Sequence, residues 1–353
     1  MSREIWVLGA TGRIGREIVE LLHESGGDVV AVGRDRARLR RVHPRTRVLA
    51  GTLDEISERL GGDSPAVVVN TVGPFKVTAP RVAAACSPAT HYVDISNDLD
   101  VFERLDGMHQ DAASTGRTLV YGAGFGVLGT EAALLPLLAD QERPSSVRVD
   151  AIASIASEPG RLGESLAATV VDQLRHGGRE VRADKIVRTW TGGSAAPLTT
   201  PDGDVVTTAS QGGGDLFAAW RASGASEVIA ATPLAPGNPL ARTTVAAIGG
   251  LLQVPGMASL TTRGMARINL KTARERPRES SWARARVEWP DGRVREGWLR
   301  AGEGMAFTAR VAAEVATRLT DGRGRPGAFS PGRIFGPELA LAAGAELLNP
   351  GAS

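Results

Sequence analysis

Ile5-Trp6-Val7-Leu8-Gly9-Ala10-Thr11-Gly12-Arg13-Ile14-Gly15 is the stretch that decides the fold of this 353-residue chain. Four apolar residues in a row read as a short buried strand, and three glycines spaced by three follow it. Ile14, Ile18, Leu21 and Leu22 then line one face of a helix from about Ile14 to Ser25. Each glycine has a physical use. Gly9 permits a tight turn, Gly12 lets backbone approach a pyrophosphate, and Gly15 allows close helix packing, while the helix amides and dipole stabilise phosphate charge. A glycine triplet by itself also marks ordinary turns. Its place between a strand and an amphipathic helix makes it a dinucleotide-binding turn.

Working outward, strand and helix patterns alternate: strands at Val29–Val32, Val48–Ala50, Ala66–Val69, His91–Ile95 and Leu119–Tyr121, with helices between them near 36–42, 53–60, 79–86 and 99–115. Six strands in this rhythm predict an α/β, Rossmann-type doubly wound parallel sheet with right-handed crossovers. After Gly122-Ala123-Gly124-Phe125-Gly126 the rhythm changes. A longer strand at Val147–Ala156, a helix at Ser165–Leu174 and a strand at Val181–Trp190 point to a second domain. Gly192–Gly214 reads as loops, rich in Gly, Thr, Ser and Pro. Ala283–Trp289 and Val294–Leu299 flank Pro290-Asp291-Gly292, a hairpin signal, and a helix spans Gly304–Leu319.

Composition narrows the class of function. Hydrophobic residues make up 42% and charged residues 23%, as in an ordinary soluble globular protein. The formal net charge is only +2, which gives no overall electrostatic reason to expect nucleic acid or an anionic membrane as partner. Cys86 is the single cysteine, so no intrachain disulfide and no cysteine-based zinc site is possible, and no metal site is expected. The chain opens directly into a strand-like segment without a secretory pattern, and its most apolar later stretch, Thr243–Leu260, is interrupted by Gly249, Gly250, Gln253 and Pro255. A cytoplasmic protein without a membrane span is expected.

The cofactor is read from three places. The loop residues Gly9, Thr11, Gly12, Arg13, Ile14 and Gly15 hold the pyrophosphate. At the end of the second strand Gly33 stands where an acidic residue often meets the ribose hydroxyls, and Arg34 follows. Arg34, with Arg13, suits a 2′-phosphate and favours NADPH over NADH. The competing reading makes Arg34 a solvated arginine and gives the ribose contact to Asp35. Strand four ends in Asn70-Thr71-Val72-Gly73-Pro74-Phe75, beyond the carboxyl ends of the strands where ligands bind, so Asn70, Thr71, Gly73, Pro74 and Phe75 are expected to contact the cofactor.

These segments resemble the saccharopine dehydrogenase-like NADP-binding family, which includes saccharopine reductases and trans-acting enoyl reductases. GATGRIG from Gly9, VGRD from Val32, NTVGPF from Asn70 and THYVDIS from Thr90 carry the resemblance, in the family's order, and GAGFGVLGTEAA follows from Gly122. It is specific over the first 130 or so residues and looser beyond. The resemblance implies domains at 1–130 (NADP-binding), 131–302 (an α+β substrate and dimerisation domain with a mixed sheet) and 303–353 (a segment packing back on the Rossmann domain). A homodimer is a separate expectation, from the apolar middle stretch that could form a dimer surface. The sequence departs from the family where a Gly-Glu pair often follows the His-Tyr-Val-Asp strand: here stand Asn97 and Asp98.

Candidate catalytic residues are Asp94 and Tyr121. Tyr121, at the exit of strand six, could donate a proton or simply pack; Asp94 could orient a donor or cap a helix. His91 reads as a satisfied structural histidine, and Cys86 as a packing residue. A Tyr-x-x-x-Lys pair is absent, since Ser96 and Phe125 stand four residues after Tyr92 and Tyr121. From Arg188 to Met257 charges are few, which favours a small, largely apolar substrate, with Arg221 and Arg242 as the arginines that could clamp an anion. The expected activity is NADPH-dependent hydride transfer to a polarised double bond, imine or conjugated enoyl. A non-catalytic NADPH-binding sensor or scaffold is the second reading.

Overall fold

Runs of valine without alternation dictate strands buried on both faces, and such strands need helices above and below. The computed structural model has that arrangement in the first of two units. It describes residues 3–139, 142–155, 160–161, 171, 177–190, 192–233, 254, 256–266, 269–270 and 278–348. Unit 1 comprises Met1–Leu128 and Gly304–Ala345; unit 2 comprises Gly129–Glu303 and Glu346–Ser353.

Unit 1 contains β1 (Glu4–Leu8), α1 (Arg13–Glu24), β2 (Asp28–Gly33), α2 (Arg36–Leu39), β3 (Arg47–Ala50), α3 (Leu53–Asp63), β4 (Val67–Asn70), α4 (Phe75–Ala85), β5 (His91–Asp94), α5 (Leu99–Gly107), α6 (His109–Ser114) and β6 (Thr118–Val120). The strands form a seven-stranded parallel sheet in the order seventh-β6-β5-β4-β1-β2-β3, the doubly wound order with its switch point between β1 and β4. The seventh strand was not foreseen. It is Gly327–Phe329, supplied by the C-terminal part of the chain and paired with β6. The helix expected over 99–115 is broken at Met108 into α5 and α6.

Unit 2 is a mixed sheet. After α7 (Thr130–Leu134) come β7 (Ser146–Ile152), the two-residue β8 (Gly160–Arg161), β9 (Gly178–Arg182), β10 (Lys185–Thr189), β11 (Ala196–Thr199), β12 (Val205–Ser210), α8 (Gly214–Ser223) and β13 (Glu227–Thr232). Then follow α9 (Met257–Ala266), β14 (Asn269–Leu270), β15 (Ser281–Glu288) and β16 (Val294–Ala301). The chain returns to unit 1 with α10 (Gly304–Thr320), the seventh parallel strand β17 (Gly327–Phe329), α11 (Pro331–Phe335) and α12 (Glu338–Ala342), and ends in β18 (Glu346–Leu348). The main path of the nine-stranded sheet is β10-β9-β13-β7-β15-β16-β18, with β12 joining β13 and β11 joining β12. The β13–β7 pair is parallel and the neighbouring β7–β15 pair antiparallel.

Three expectations for unit 2 meet the structure differently. The hairpin at Pro290-Asp291-Gly292 is present, with Gly292 at φ +87 and Asp291 Oδ1 accepting the Arg293 amide at 3.0 Å. The single strand expected over Val181–Trp190 is instead the β9–β10 hairpin. Its turn is Ala183-Asp184, with φ of +47 and +63, so a left-handed turn forms without the glycine that normally signals one. The loops expected over 192–214 hold the β11–β12 hairpin, whose Val205, Val206, Thr207 and Thr208 are β-branched and alternate exposed with buried. The helix expected over 165–174 lies, but for Val171, outside the described residues, as do Arg242 and most of the apolar stretch 243–260.

A buried carboxylate organises the polar face of this sheet. Asp150, fully buried, accepts from Arg148 Nε at 3.0 Å, Thr208 Oγ1 at 2.7 Å and Arg284 at 3.3 Å, and Arg284 also reaches Glu296. No helix among the described residues is long and apolar enough to cross a membrane.

Candidate functional site

At the end of β1 the chain reverses at Gly9, whose φ of +81 strains any side-chain-bearing residue. A Cβ there would also lie 2.5 Å from Thr71 Oγ1. Thr71 occupies that space for a reason. Its amide and hydroxyl both donate to Leu8 O, at 3.0 and 2.7 Å, and so bind the end of β4 to the end of β1. Gly12 N–H donates to Gly9 O at 2.9 Å and closes the turn. Gly12 then caps α1 without any side-chain hydrogen bond, leaving the helix's first-turn amides directed at the crevice. A Cβ on Gly12 would meet only Gly9 O, at 3.2 Å, so its outer face is open to a ligand. Gly15 is the opposite case, because a Cβ there would collide with Gly9 O and lie 3.0 Å from Ala10 Cα. Gly15 brings helix and turn together; Gly12 leaves the approach clear.

Beside this turn, β2 ends in Gly33 and the exposed Arg34. Asp35 is the N-cap of α2, its Oδ1 accepting from Ala37 N at 2.9 Å and Arg38 N at 3.1 Å. That carboxylate is committed to backbone. Arg34, by contrast, has no carboxylate partner among the described residues. The residues present therefore fit a nicotinamide dinucleotide, with a cradle at Gly12 and a guanidinium near the end of β2.

On the other side of the switch point a continuous hydrogen-bonded chain crosses three strands. Asn70 and Asp94 are register partners at the ends of β4 and β5. Asn70 Oδ1 accepts from Val72 N at 3.0 Å, fixing the turn after β4. Its Nδ2 donates to Tyr92 OH at 3.2 Å and lies 3.4 Å from Thr78 Oγ1, whose hydroxyl donates to Val72 O. The Tyr92 hydroxyl donates to Asp94 Oδ2 at 3.0 Å. Asp94 Oδ1 accepts from Ser96 N at 2.9 Å, Ser96 Oγ at 2.6 Å and Gly122 N at 3.0 Å, and Asp94 O accepts from Ala123 N at 2.7 Å. Asn70, Tyr92, Asp94 and Ser96 are all buried. Burial pushes the Asp94 carboxyl up, opposed by the Ser96, Gly122 and Tyr92 hydrogen bonds; burial and the neighbouring Asp94 push the Tyr92 phenol well above its ordinary range.

The candidate acid–base residues are thus placed as follows. Asp94 is buried, with both carboxylate oxygens occupied in this chain. Tyr121 is buried, its ring edge-on to Phe102 and its hydroxyl donating to Asp106 Oδ1 at 3.0 Å. Neither is presented to a crevice. His91 Nδ1 accepts the Thr118 amide at 2.9 Å, joining the starts of β5 and β6, and the Cys86 thiol is pushed up to about 12 by burial. Phe75 begins α4 half-buried, after the exposed Pro74 and the half-buried Gly73. Lys76 follows and pairs with Asp100 at 2.7 Å and Asp98 at 3.7 Å, joining the first turns of α4 and α5. Sequence reasoning missed Tyr92, Thr78 and Ser96. The signal was there in part, since Tyr92 and Asp94 two apart share a face of β5.

Residues 9–97 match the model of a family of NAD(P)H-binding domains. Among solved structures, the chain is similar to the L-glutamate-forming saccharopine dehydrogenase of Saccharomyces cerevisiae, at 14% identity and a TM-score of 0.63, covering 99% of this chain and 100% of that one. The chain has the saccharopine dehydrogenase fold. A probable dehydrogenase from Thermotoga maritima is similar at 12% identity and a TM-score of 0.44, over 96% of this chain and 94% of that one. An NADPH-bound short-chain dehydrogenase from Sphingobium yanoikuyae aligns with 33% of this chain and 70% of its own, at 18% identity and a TM-score of 0.29. No curated protein sequence matches.

On this saccharopine dehydrogenase-like fold, every residue from Gly9 to Phe75 assigned to the cofactor falls inside the matched NAD(P)H-binding segment, and so does Asp94. Tyr121 and the Gly122–Gly126 loop fall outside it. The loop nonetheless belongs to the same edge of the sheet, because Asp94 holds its first two amides.

Proposed function

We propose that this chain is an NADPH-dependent oxidoreductase that delivers hydride to a polarised double bond, an imine or a conjugated enoyl group, of a small and largely apolar molecule. The observation that carries the reading is the β1–α1 turn, open at Gly12, set beside a β2 end where Asp35 is committed to capping and Arg34 has no carboxylate partner among the described residues. Arg34 then binds the 2′-phosphate, the first turn of α1 takes the pyrophosphate, and the chain through Asn70, Tyr92 and Asp94 fixes the strand ends beneath the nicotinamide half. NADPH supplies the hydride when bound. The chain's own contribution is orientation and a rigid, preformed crevice.

The proposal takes the protein as cytoplasmic, in keeping with its single, buried cysteine, and its partner as a small-molecule substrate. A homodimer rests only on the apolarity of the middle domain's sequence. One observation favours the second reading, a non-catalytic NADPH-binding sensor: the hydroxyl of Tyr121 and the carboxylate of Asp94 are both engaged within the fold. The deciding experiment mixes protein, NADPH and a panel of apolar imines and enoyl compounds and follows NADPH absorbance. Substrate-dependent oxidation, with deuteride from labelled NADPH recovered in the product, is the expected result. Tight NADPH binding with no oxidation across both classes overturns the reductase in favour of the sensor.

A further inference from the structure

We infer that Thr308 is a positioning residue for the nicotinamide half of the cofactor, acting through the loop that follows β6. The inference rests on the nicotinamide-cofactor reading above. In a doubly wound sheet the halves on either side of the switch point each take one nucleotide of the dinucleotide, beyond the carboxyl ends of the strands. With the glycine turn and Arg34 on the β1–β2–β3 side, the ends of β4, β5 and β6 face the nicotinamide half. The backbone that leaves β6 at this edge runs from Tyr121 into Gly122-Ala123-Gly124-Phe125.

This loop is held at both ends. At its near end Asp94 accepts the Gly122 amide at 3.0 Å and the Ala123 amide at 2.7 Å. At its far end Phe125 opens a π-helical turn, Phe125–Gly129, within which its amide has no acceptor. The amide donates instead to Thr308 Oγ1, at 3.1 Å and 183 residues further along the chain. Thr308 is buried in α10, which packs on α1 and crosses β4 and β5. Its own hydroxyl proton goes to Gly304 O at 2.8 Å, so the oxygen is left as a fixed acceptor aimed at Phe125. The approach needs glycine at 124, where a Cβ would lie 3.0 Å from Thr308 Cγ2 and 3.3 Å from its Oγ1. Phe125 and Phe307, both buried, meet edge-on beside the contact, with ring centroids 6.1 Å apart. Without the Thr308 oxygen the Phe125 amide is buried and unpaired, and the loop relieves that cost by moving at the edge where the nicotinamide half binds.

The test uses the full-length protein with NADP⁺ and with adenosine 2′,5′-bisphosphate, which carries the adenosine half alone. Dissociation constants are measured calorimetrically, alongside melting temperatures, for the parent, Thr308→Val, Thr308→Ser and Gly124→Ala. The parent is expected to bind NADP⁺ more tightly than the bisphosphate. Thr308→Val keeps the shape and removes the acceptor, and should weaken NADP⁺ about tenfold while leaving the bisphosphate unchanged. Thr308→Ser restores the hydroxyl and should bind both ligands as the parent does. Gly124→Ala pushes on Thr308 from the loop side and should repeat the selective loss; where Thr308→Val does not fold, it carries the test by the same criterion. An unchanged NADP⁺ affinity, an equal loss for both ligands, or a Thr308→Ser variant as weak as Thr308→Val overturns the inference, as does a parent that binds the two ligands alike. A parent that binds neither overturns the cofactor reading beneath it.

Discussion

Gly12 and Gly15 sit three residues apart in one turn, yet the structure predicts opposite consequences for filling them. Gly12 has φ −75 and ψ 167, a conformation any residue adopts, and a Cβ there meets nothing but Gly9 O at 3.2 Å. Gly12→Val is therefore expected to fold with a melting temperature close to the parent's. Its side chain would stand where the proposed pyrophosphate approaches the first-turn amides. Losing two charge-assisted hydrogen bonds costs about 3 kcal/mol or more, roughly a hundredfold or greater weakening of NADPH binding. Gly15→Ala places its Cβ against backbone of Gly9 and Ala10 that has no flexible end to swing aside. Overpacking of that kind costs roughly 1–3 kcal/mol, which lowers the melting temperature by about 2–10 °C. Thermal unfolding and NADPH fluorescence titration of the two variants separate the effects. If folded Gly12→Val bound NADPH as the parent does, the turn would not be the phosphate site and the reasoning from its open face would fail.

Arg34→Ala is expected to weaken NADPH about tenfold and leave NADH unchanged, since in the proposed complex the guanidinium meets only the 2′-phosphate; equal affinities for both cofactors in the parent, unmoved by the substitution, would refute it. Tyr92→Phe leaves buried Asp94 Oδ2 without the tyrosine donor and Asn70 Nδ2 with only its longer contact to Thr78 Oγ1, and should cost about 1–3 kcal/mol in denaturant unfolding, with a loss under about 0.5 kcal/mol counting against the relay. Burial pushes Asp215, in the first turn of α8, up to about 7 from an ordinary value of 3.8. It binds its proton more tightly folded than unfolded, so the stability it contributes is fully present below about pH 4 and is lost as pH rises through about 7, by at most about 4 kcal/mol. Asp215→Asn should flatten that slope and raise the melting temperature at pH 8 but not at pH 4; a parallel pH profile in the variant would exclude Asp215 as the source.

How far the sequence could be read depended on whether the needed information was local. The glycine turn, α1 and the valine strands carry their own patterns, so a doubly wound parallel sheet followed from their alternation. β17 could not be found that way: Gly327-Ala328-Phe329 has three residues and no periodicity, and becomes a strand only because β6 offers it an edge. The β9–β10 turn escaped because Ala183 and Asp184 adopt left-handed conformations that glycine or asparagine would advertise. The relay was half legible. VVVN and HYVD each end a buried strand with a polar residue, and in a doubly wound order β4 and β5 are neighbours, which makes Asn70 and Asp94 a side-by-side pair. The participation of Gly122, twenty-eight residues further on, needed the three-dimensional register of β6.

That register explains why a fully buried carboxylate is kept at Asp94. An unpaired charge there would be expelled or protonated, but four donors from Ser96, Gly122 and Tyr92 converge on it, and hydrogen bonds to a charged acceptor are about twice as strong as neutral ones. Three of the four come from β5 and the segment just after it, and one from the segment after β6, so the carboxylate sets the spacing between the two strand ends. Through Tyr92 and Asn70 it also fixes Val72, and with it the turn after β4. The segments from Asn70, Thr90 and Gly122 are therefore one mechanical unit. A residue whose oxygens are all spent on holding that unit acts on the chemistry through the backbone it positions, and Asp94 is a positioning residue whose work is the shape of the sheet's carboxyl edge.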